Sequence, residues 1–421
     1  MELPKEYAAR LERLKILQSQ GIDSYPANVE RSHTVAEFLG QFSPPPSGGA
    51  PPLGGGKQTI SLVGRVRSWR PHGGSAFAHI EDGTGRVQLF LKKDAMGAAA
   101  FTQFTDTVDV GDFVAASGAP YLTKRGEKSL QVTHAHIICK ALLPLPEKWH
   151  GLSDVEIRYR KRYLDLLANT EVAEIFEARS AIIKNLREFF DQRAYLEVET
   201  PMLHSIPGGA AAKPFVTRHN ALDTDFYLRI APELYLKRLL VGGFPRVYEI
   251  GRCFRNEGID VQHNPEFTIL EAYEAYASYE DYMRLIEELL PHLVQKLGMT
   301  SMKFAYGKQE INVKPPYPRL GFREALIKYA KFDIEKYPPH PHPFPQGGEG
   351  ILKKIPSPRG RGEGEGQLAH DARQLGAEFP SGASRGKIFD ELYKTFVRSR
   401  LVQPTFIVDH PVELSPLSKR K

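Results

Sequence analysis

Residues 246–276, RVYEIGRCFRNEGIDVQHNPEFTILEAYEAY, decide how this chain of 421 residues is read. The first arm spaces Val247, Glu249, then Arg252, Phe254 and Asn256 among apolar neighbours. The second carries Phe267, Ile269, Glu271 and Tyr273 at every second position, so in a strand these four share one face. Two such arms joined by a polar loop predict an antiparallel hairpin. Depending on register, one face gathers Arg252 or Arg255 with Glu257, Phe267, Glu271 and Tyr273. A cation, carboxylates, an aromatic ring and a phenol are what a nucleotide and a cationic substrate would need. The plainer reading is a sheet face with surface salt bridges, each worth little, and spacing alone leaves the two open.

Around the hairpin the pattern is α+β, not the strand–helix alternation of a doubly wound sheet. Val172, Ile175, Phe176, Ile182, Ile183, Leu186, Phe189 and Phe190 form a helical stripe. Strands are expected near 194–198 and 225–230. A helix is expected over 279–297, with Ser278 and Asp281 as a variant capping box, and another over 387–401. Earlier in the chain, 60–138 predicts five short strands at 61–68, 75–81, 86–91, 112–117 and 129–137. The turns between them are marked by Gly73-Gly74, Asp82-Gly83-Thr84-Gly85 and Lys124-Arg125-Gly126. Five strands in so short a span point to a closed or partly open barrel such as the OB-fold. Leu3, Tyr7, Leu11, Leu14 and Leu17 predict an N-terminal helix stopped by Gly21. The segment 43–56 holds five prolines and five glycines and reads as a linker, and 338–366, with seven of each, as a disordered insertion.

Composition excludes several classes. Hydrophobic residues are 41% and charged residues 25%, a balance foreign to wholly disordered or fibrous chains. No apolar run approaches the ~18 residues of a membrane-spanning helix. The longest, 285–297, is broken by Glu287, Glu288, Pro291 and His292. The charged N-terminus resembles no secretory signal, and two cysteines cannot build a disulfide framework, so a cytoplasmic location is expected. A net charge of +6 is only a mild bias toward polyanions. The pairs His134/His136 and His340/His342 lack the further clustered ligands a metal site needs. Gly382–Lys387 misses one residue of a phosphate-binding loop, and Ile388 stands where that loop needs Ser or Thr. Cys253 reads as a buried structural cysteine, and Lys419-Arg420-Lys421 as a solvated end.

The hairpin resembles motif 2 of the class II aminoacyl-tRNA synthetases, in the lysyl form. The matching residues are Phe254-Arg255-Asn256-Glu257-Gly258, His263-Asn264-Pro265-Glu266-Phe267-Thr268 and Glu271-Ala272-Tyr273. Glu197-Val198-Glu199-Thr200-Pro201 resembles motif 1. Ile206-Pro207-Gly208-Gly209-Ala210 and Leu228-Arg229-Ile230-Ala231-Pro232-Glu233-Leu234-Tyr235-Leu236-Lys237 are also similar to that family. So are Val63-Gly64-Arg65-Val66 and Asp82-Gly83-Thr84-Gly85-Arg86-Val87-Gln88 of the barrel. The resemblance is collinear over 1–42, 57–337 and 367–421. It implies an N-terminal helical segment (1–42), the linker (43–56), an OB-fold anticodon-binding domain (57–143) and a partial class II catalytic domain (151–421) carrying the insertion 338–366. That domain would be an antiparallel sheet flanked by helices.

The resemblance also implies chemistry. Lysine would attack the α-phosphorus of ATP to give lysyl-adenylate, and a tRNA(Lys) ribose hydroxyl would then take the lysyl group. Arg255 would bridge the lysine carboxylate and the α-phosphate. Glu257 would accept from the adenine amino group, Phe267 would stack on adenine, and His263, with Asn264 beside it, would meet the ATP phosphates. Glu233 and the Gly209 backbone would meet the α-ammonium, and Glu271 and Tyr273 the side-chain ammonium. In the barrel, Phe77 would stack on an anticodon base, Gln88 would bond its edge and Arg65 would meet phosphate or base. Without the resemblance, Phe77 reads as a core residue. A pocket for aspartate would need a cation where Glu271 stands, although aspartyl- and asparaginyl-tRNA synthetases are the nearest relatives in fold. The family implies ATP and Mg2+ as cofactors and a homodimer through motif 1. It also has acidic magnesium ligands and a glycine-rich motif 3 beyond the stretch resembling 415–421. No Gly-x-Gly-x-Asp-Arg run occurs in these 421 residues, so the expectation is a truncated chain with impaired aminoacylation and no metal ligands. The alternative is a tRNA-binding module without catalysis.

Overall fold

The computed structural model describes residues 5–42, 59–145, 152–210, 212–260, 263–337 and 363–415. They fall into two compact units, 1–175 and 176–421. The expected linker at 43–56 lies outside the described residues, as does the expected insertion up to residue 362; its last residues, from Glu363, open a helix.

The first unit begins with helix α1 (Lys5–Ser19), which Gly21 ends at φ +72°, and the short α2 (Val35–Gly40), held by a Thr34/Glu37 capping box. A closed barrel follows: β1 (Ile60–His72), β2 (Ser75–Glu81), β3 (Arg86–Lys92), β4 (Phe113–Leu122) and β5 (Lys128–Cys139), in the order β1-β2-β3-β5-β4. Closure leaves no free edge. The β3–β5 pair is parallel and the other neighbours antiparallel. Alternation sends Leu62, Val66, Ala76, Ala78, Ile80, Val87, Leu89, Leu91, Val114, Leu130 and Val132 inward. Two helices that the spacing did not reveal, α3 (Lys93–Met96) and α4 (Ala98–Thr107), add Met96, Phe101 and Phe104 to that core. Inside the same unit Lys140 Nζ, fully buried, bonds Asp112 Oδ2 at 2.7 Å, and Arg10 donates to the Ala141 carbonyl at 2.9 Å, tying α1 to the barrel. The helices α5 (Val155–Arg160) and α6 (Arg162–Ala168) close the unit, and α7 (Glu171–Asp191) leads into the second.

The second unit is built on the hairpin. Strand β10 (Arg246–Phe254) pairs antiparallel with β11 (Glu266–Glu274) along its whole length, and parallel with the short β6 (Leu196–Glu197) on its other side. One face of this sheet packs on α7 and on α9 (Tyr279–Lys296): Tyr248, Ile250, Leu270 and Ala272 meet Phe189, Phe190, Leu285 and Leu289. The Ser278/Asp281 capping box starts α9 as expected. Of the α7 stripe, Phe189 and Phe190 are buried while Ile175 and Phe176 are exposed. The strands β7 (Leu203–His204), β8 (Val216–His219) and β9 (Thr224–Leu228) form a separate sheet before α8 (Glu233–Val241).

A second core joins α10 (Phe322–Ala330), α11 (Glu363–Gln374) and α12 (Arg385–Leu392). The hairpin β12 (Lys303–Tyr306) and β13 (Gln309–Asn312) and the parallel pair β14 (Arg319–Gly321) and β15 (Phe406–Val408) complete the unit. The single helix expected over 387–401 instead ends as an α-helix at Leu392 and widens to a π-turn over Tyr393–Val397. Buried Leu392 and Val397 are five residues apart, and the wider turn keeps both on the core side.

Candidate functional site

The β10–β11 register decides which side chains meet. Val247 lies opposite Tyr273, Glu249 opposite Glu271, Gly251 opposite Ile269 and Cys253 opposite Phe267. Residues opposite one another in an antiparallel pair share a face. Glu249, Phe267, Glu271 and Tyr273 therefore lie together, on the side away from α7 and α9. Arg252 faces the other way, opposite Thr268, with its Nε 3.5 Å from Glu266. Of the two arginines left open by spacing, Arg255 continues the functional face. Its backbone N–H donates to Pro265 O at 2.8 Å, one step beyond the strand. Its guanidinium lies 5.1 Å from the centre of the Phe267 ring, and its Nε is buried without an acceptor among the described residues. A donor left this way favours an incoming anion.

At the other end of the face Tyr273 Oη donates to Glu271 Oε2 at 3.2 Å. Burial pushes the Glu271 carboxyl above the usual range, the neighbouring Glu233 and Glu249 add to this, and the Tyr273 hydrogen bond and Arg229 oppose it. Burial, then Glu271 and Glu233, raise the Tyr273 phenol. Glu233 opens α8, where a carboxylate suits the helix N-terminus, and it is ion-paired with Lys237 one turn on. Gly209 sits beside it at φ +88°; a Cβ there would stand 3.2 Å from Glu233 Cβ and 3.3 Å from Ala231 Cβ, so the backbone can approach where a side chain would crowd. Glu233 and Glu249 thus act on Glu271, each with a cationic partner of its own, while Arg255 lies beside Phe267. The arrangement can hold a cation at Glu271 and an anion at Arg255.

The loop residues are placed differently. Glu257, His263 and Asn264 are exposed. The Glu257 carboxylate accepts from the Lys213 N–H at 3.4 Å, and His263 Nδ1 lies 2.7 Å from Asp260 Oδ2. Two members of the site escaped the spacing argument: Arg229, 1% exposed, and Glu249, 3% exposed, which form a buried ion pair. The only signal for Glu249 was its parity with Glu271; nothing local marked Arg229.

On the barrel, Phe77 alternates with inward Ala76 and Ala78 and lies on the outer side, so it is no core residue. Its ring stacks on Phe90, directly opposite, at 4.9 Å, and Phe90 stacks on Tyr121 at 5.2 Å. Gln88 is buried: its Nε2 donates to Glu127 Oε2 at 2.7 Å and its Oε1 accepts from Ser129 Oγ at 3.0 Å. Arg65 lies 4.2 Å over the Phe113 ring and donates to Gly111 O at 3.2 Å, and burial lowers its pKa. The sequence pattern missed Phe90 and Tyr121, whose strands are not consecutive neighbours of one another.

The sequence that builds this barrel and this sheet face matches known families. A family profile described as tRNA synthetases class II (D, K and N) matches residues 154–421, and one described as OB-fold nucleic acid binding domain matches 60–138. The chain carries a class II tRNA synthetase domain and an OB-fold domain. The chain is 42% identical over 420 residues to the lysine–tRNA ligase of Carboxydothermus hydrogenoformans, covering 100% of this chain and 78% of that one. It is 45% identical over 413 residues to that of Pelotomaculum thermopropionicum, covering 98% and 74%, and 44% identical over 425 residues to that of Clostridium botulinum, covering 100% and 76%. The chain belongs to the lysine–tRNA ligase family.

Proposed function

We propose that this chain binds lysine and ATP on the β10–β11 face, joins them as lysyl-adenylate, and uses its barrel to hold the anticodon of a lysine tRNA. The observation that carries the reading is the convergence of Glu233, Glu249 and Glu271 beside Tyr273, with Arg255 on the same face. A cationic substrate is favoured there, because an aspartate side chain would meet unneutralised carboxylate in a partly buried site. Glu271 and Tyr273 take the ε-ammonium, and Glu233 with the Gly209 backbone takes the α-ammonium. Arg255, whose planar fork suits two anions at once, holds the lysine carboxylate against the α-phosphate. Phe267 stacks on adenine, Glu257 accepts from its amino group, and His263 and Asn264 meet the outer phosphates. The carboxylate oxygen then attacks phosphorus and pyrophosphate leaves. A tRNA ribose hydroxyl attacks the adenylate carbonyl and AMP leaves. The protein's part is positioning and charge stabilisation.

The family's magnesium belongs to this reaction. Among the described residues no group of three or more His, Cys, Asp or Glu is placed to hold a metal, so no step here runs through one. The reading extends to a homodimer through the motif 1 segment, which exposed Leu196, Met202, Leu203 and Ile206 support, and to the cytoplasm. Among the described residues no helix is long and apolar enough to cross a membrane.

Calorimetric titration of the chain with lysine, aspartate and asparagine, each with a non-hydrolysable ATP analogue, tests the reading: lysine should bind and the other two should not. Binding of tRNA without any of the three leaves only an RNA-binding module. Phe77→Ala is expected to weaken binding of a lysine anticodon stem-loop by about ten- to a hundredfold, the worth of one base stack. Fluorescence anisotropy reads this. Because Phe77 lies outside the barrel core, the melting temperature should barely move.

A further inference from the structure

Glu249 and Glu271 stand directly opposite each other on the functional face. Like charges so placed repel, and two partly buried carboxylates at this range tend to share a proton. Something must keep Glu271 ionised for a cationic substrate. Arg229 lies beneath. Its Nη1 pairs with Glu249 Oε1 and lies 3.1 Å from Thr200 Oγ1, its Nε donates to Arg252 O at 2.7 Å, and Thr200 Oγ1 donates to Glu249 Oε2 at 2.7 Å. Its Nη2 is buried and has no hydrogen-bond partner among the described residues. That nitrogen occupies room that Gly251 leaves: a Cβ on Gly251 would stand 2.1 Å from it and 3.2 Å from Glu249 Oε1. The guanidinium is lodged between the sheet and Glu249, not reaching for solvent.

We propose that Arg229 is a positioning residue for lysine selection: by neutralising Glu249 from below, it leaves Glu271 as the carboxylate free to take the substrate's side-chain ammonium. This rests on the reading of the face as the lysine pocket. The charged and titratable groups acting on Glu271 are Tyr273 on its own strand, Glu249 and Cys253 on β10, Arg229 after β9, and Glu233 with its partner Lys237 on α8. Removing the Arg229 charge leaves Glu249 and Glu271 facing each other, so a proton is retained to higher pH. Removing Glu249 as well restores the balance, and replacing a buried ion pair by neutral groups of similar volume is often tolerated.

Lysine binding to the full 421-residue chain, measured calorimetrically from about pH 5 to about pH 8, tests this with Arg229→Met, Glu249→Gln and the double variant, and with ATP-analogue binding as control. Arg229→Met should weaken lysine binding at neutral pH by about tenfold or more and move its acidic limb up by about one pH unit, with ATP-analogue binding unchanged. The double variant should return both to near the starting values. If Arg229→Met does not fold, Glu249→Gln decides: the cation left unneutralised should weaken lysine binding, and adding Arg229→Met should recover it. An unmoved acidic limb, equal losses for lysine and the ATP analogue, or no recovery in the double variant overturns the proposal. Unchanged lysine binding in Glu271→Gln would instead overturn the pocket reading beneath it.

Discussion

Arg255→Ala is expected to weaken binding of a sulfamoyl mimic of lysyl-adenylate by about a thousandfold or more. The mimic carries, in one molecule, the two groups that Arg255 is proposed to bridge. A hydrogen bond to a charged partner contributes about 1.5–3 kcal/mol, and two are lost together. The buried Nε, without an acceptor among the described residues, makes the loss larger than at an exposed arginine, because that nitrogen gives up no partner among those residues when the ligand binds. Arg255→Lys should recover only part, since an ammonium is a point charge and cannot offer a planar fork. Removing Arg255 also removes the cation lying over Phe267, so adenosine binding should fall slightly, by about threefold. Isothermal titration with the mimic, lysine and adenosine separates these effects. Equal small losses for all three would show that Arg255 does not touch the reacting groups.

Glu271→Gln is expected to weaken lysine binding by about a hundredfold while ATP-analogue binding stays within about twofold. The figure follows from truncating one partner of a desolvated charge pair, about 2–5 kcal/mol. The amide keeps the size and an acceptor for the Tyr273 hydroxyl, so the change is chiefly one of charge. The pH dependence gives an independent reading. Glu271 must be ionised to take an ammonium, and burial raises its pKa. Lysine binding in the parent should therefore decline as pH falls through that raised value, with the decline beginning at higher pH than for an ordinary glutamate. In the glutamine variant that limb should vanish. A variant that keeps the parent's pH profile would assign the limb to another group.

Much of this was legible along the chain. The period-two spacing of Phe267, Ile269, Glu271 and Tyr273 is a local property of a strand, and β11 carries it. Turn signals such as Asp82-Gly83-Thr84-Gly85 need only short-range backbone conformations, and the barrel strands begin and end beside them. Other features had no local trace. The helix α4 packs Phe101 and Phe104 into the barrel core, but its ten residues show too little contrast between faces to announce it. The π-turn after Leu392 exists because of where Val397 must go, a demand made by the surrounding core. Gln88 bonds Glu127 and Ser129, about forty residues downstream, a contact with no trace in the local sequence.

The chain by itself determined that a hairpin would carry a cation, an aromatic ring, a carboxylate and a phenol, because alternation along a strand is set by covalent geometry. Spacing alone left Arg252 and Arg255 open, since the two differ only in parity relative to a partner strand, and the family resemblance pointed to Arg255. The strand register puts Arg252 opposite Thr268, on the other face from Phe267. The chain alone could not reveal that Glu249 is ion-paired with Arg229 while Glu271 accepts from Tyr273. That difference arises where residues 200, 229, 249 and 251 are brought together. Burial there makes each charge depend on its neighbours, and burial belongs to the assembled fold.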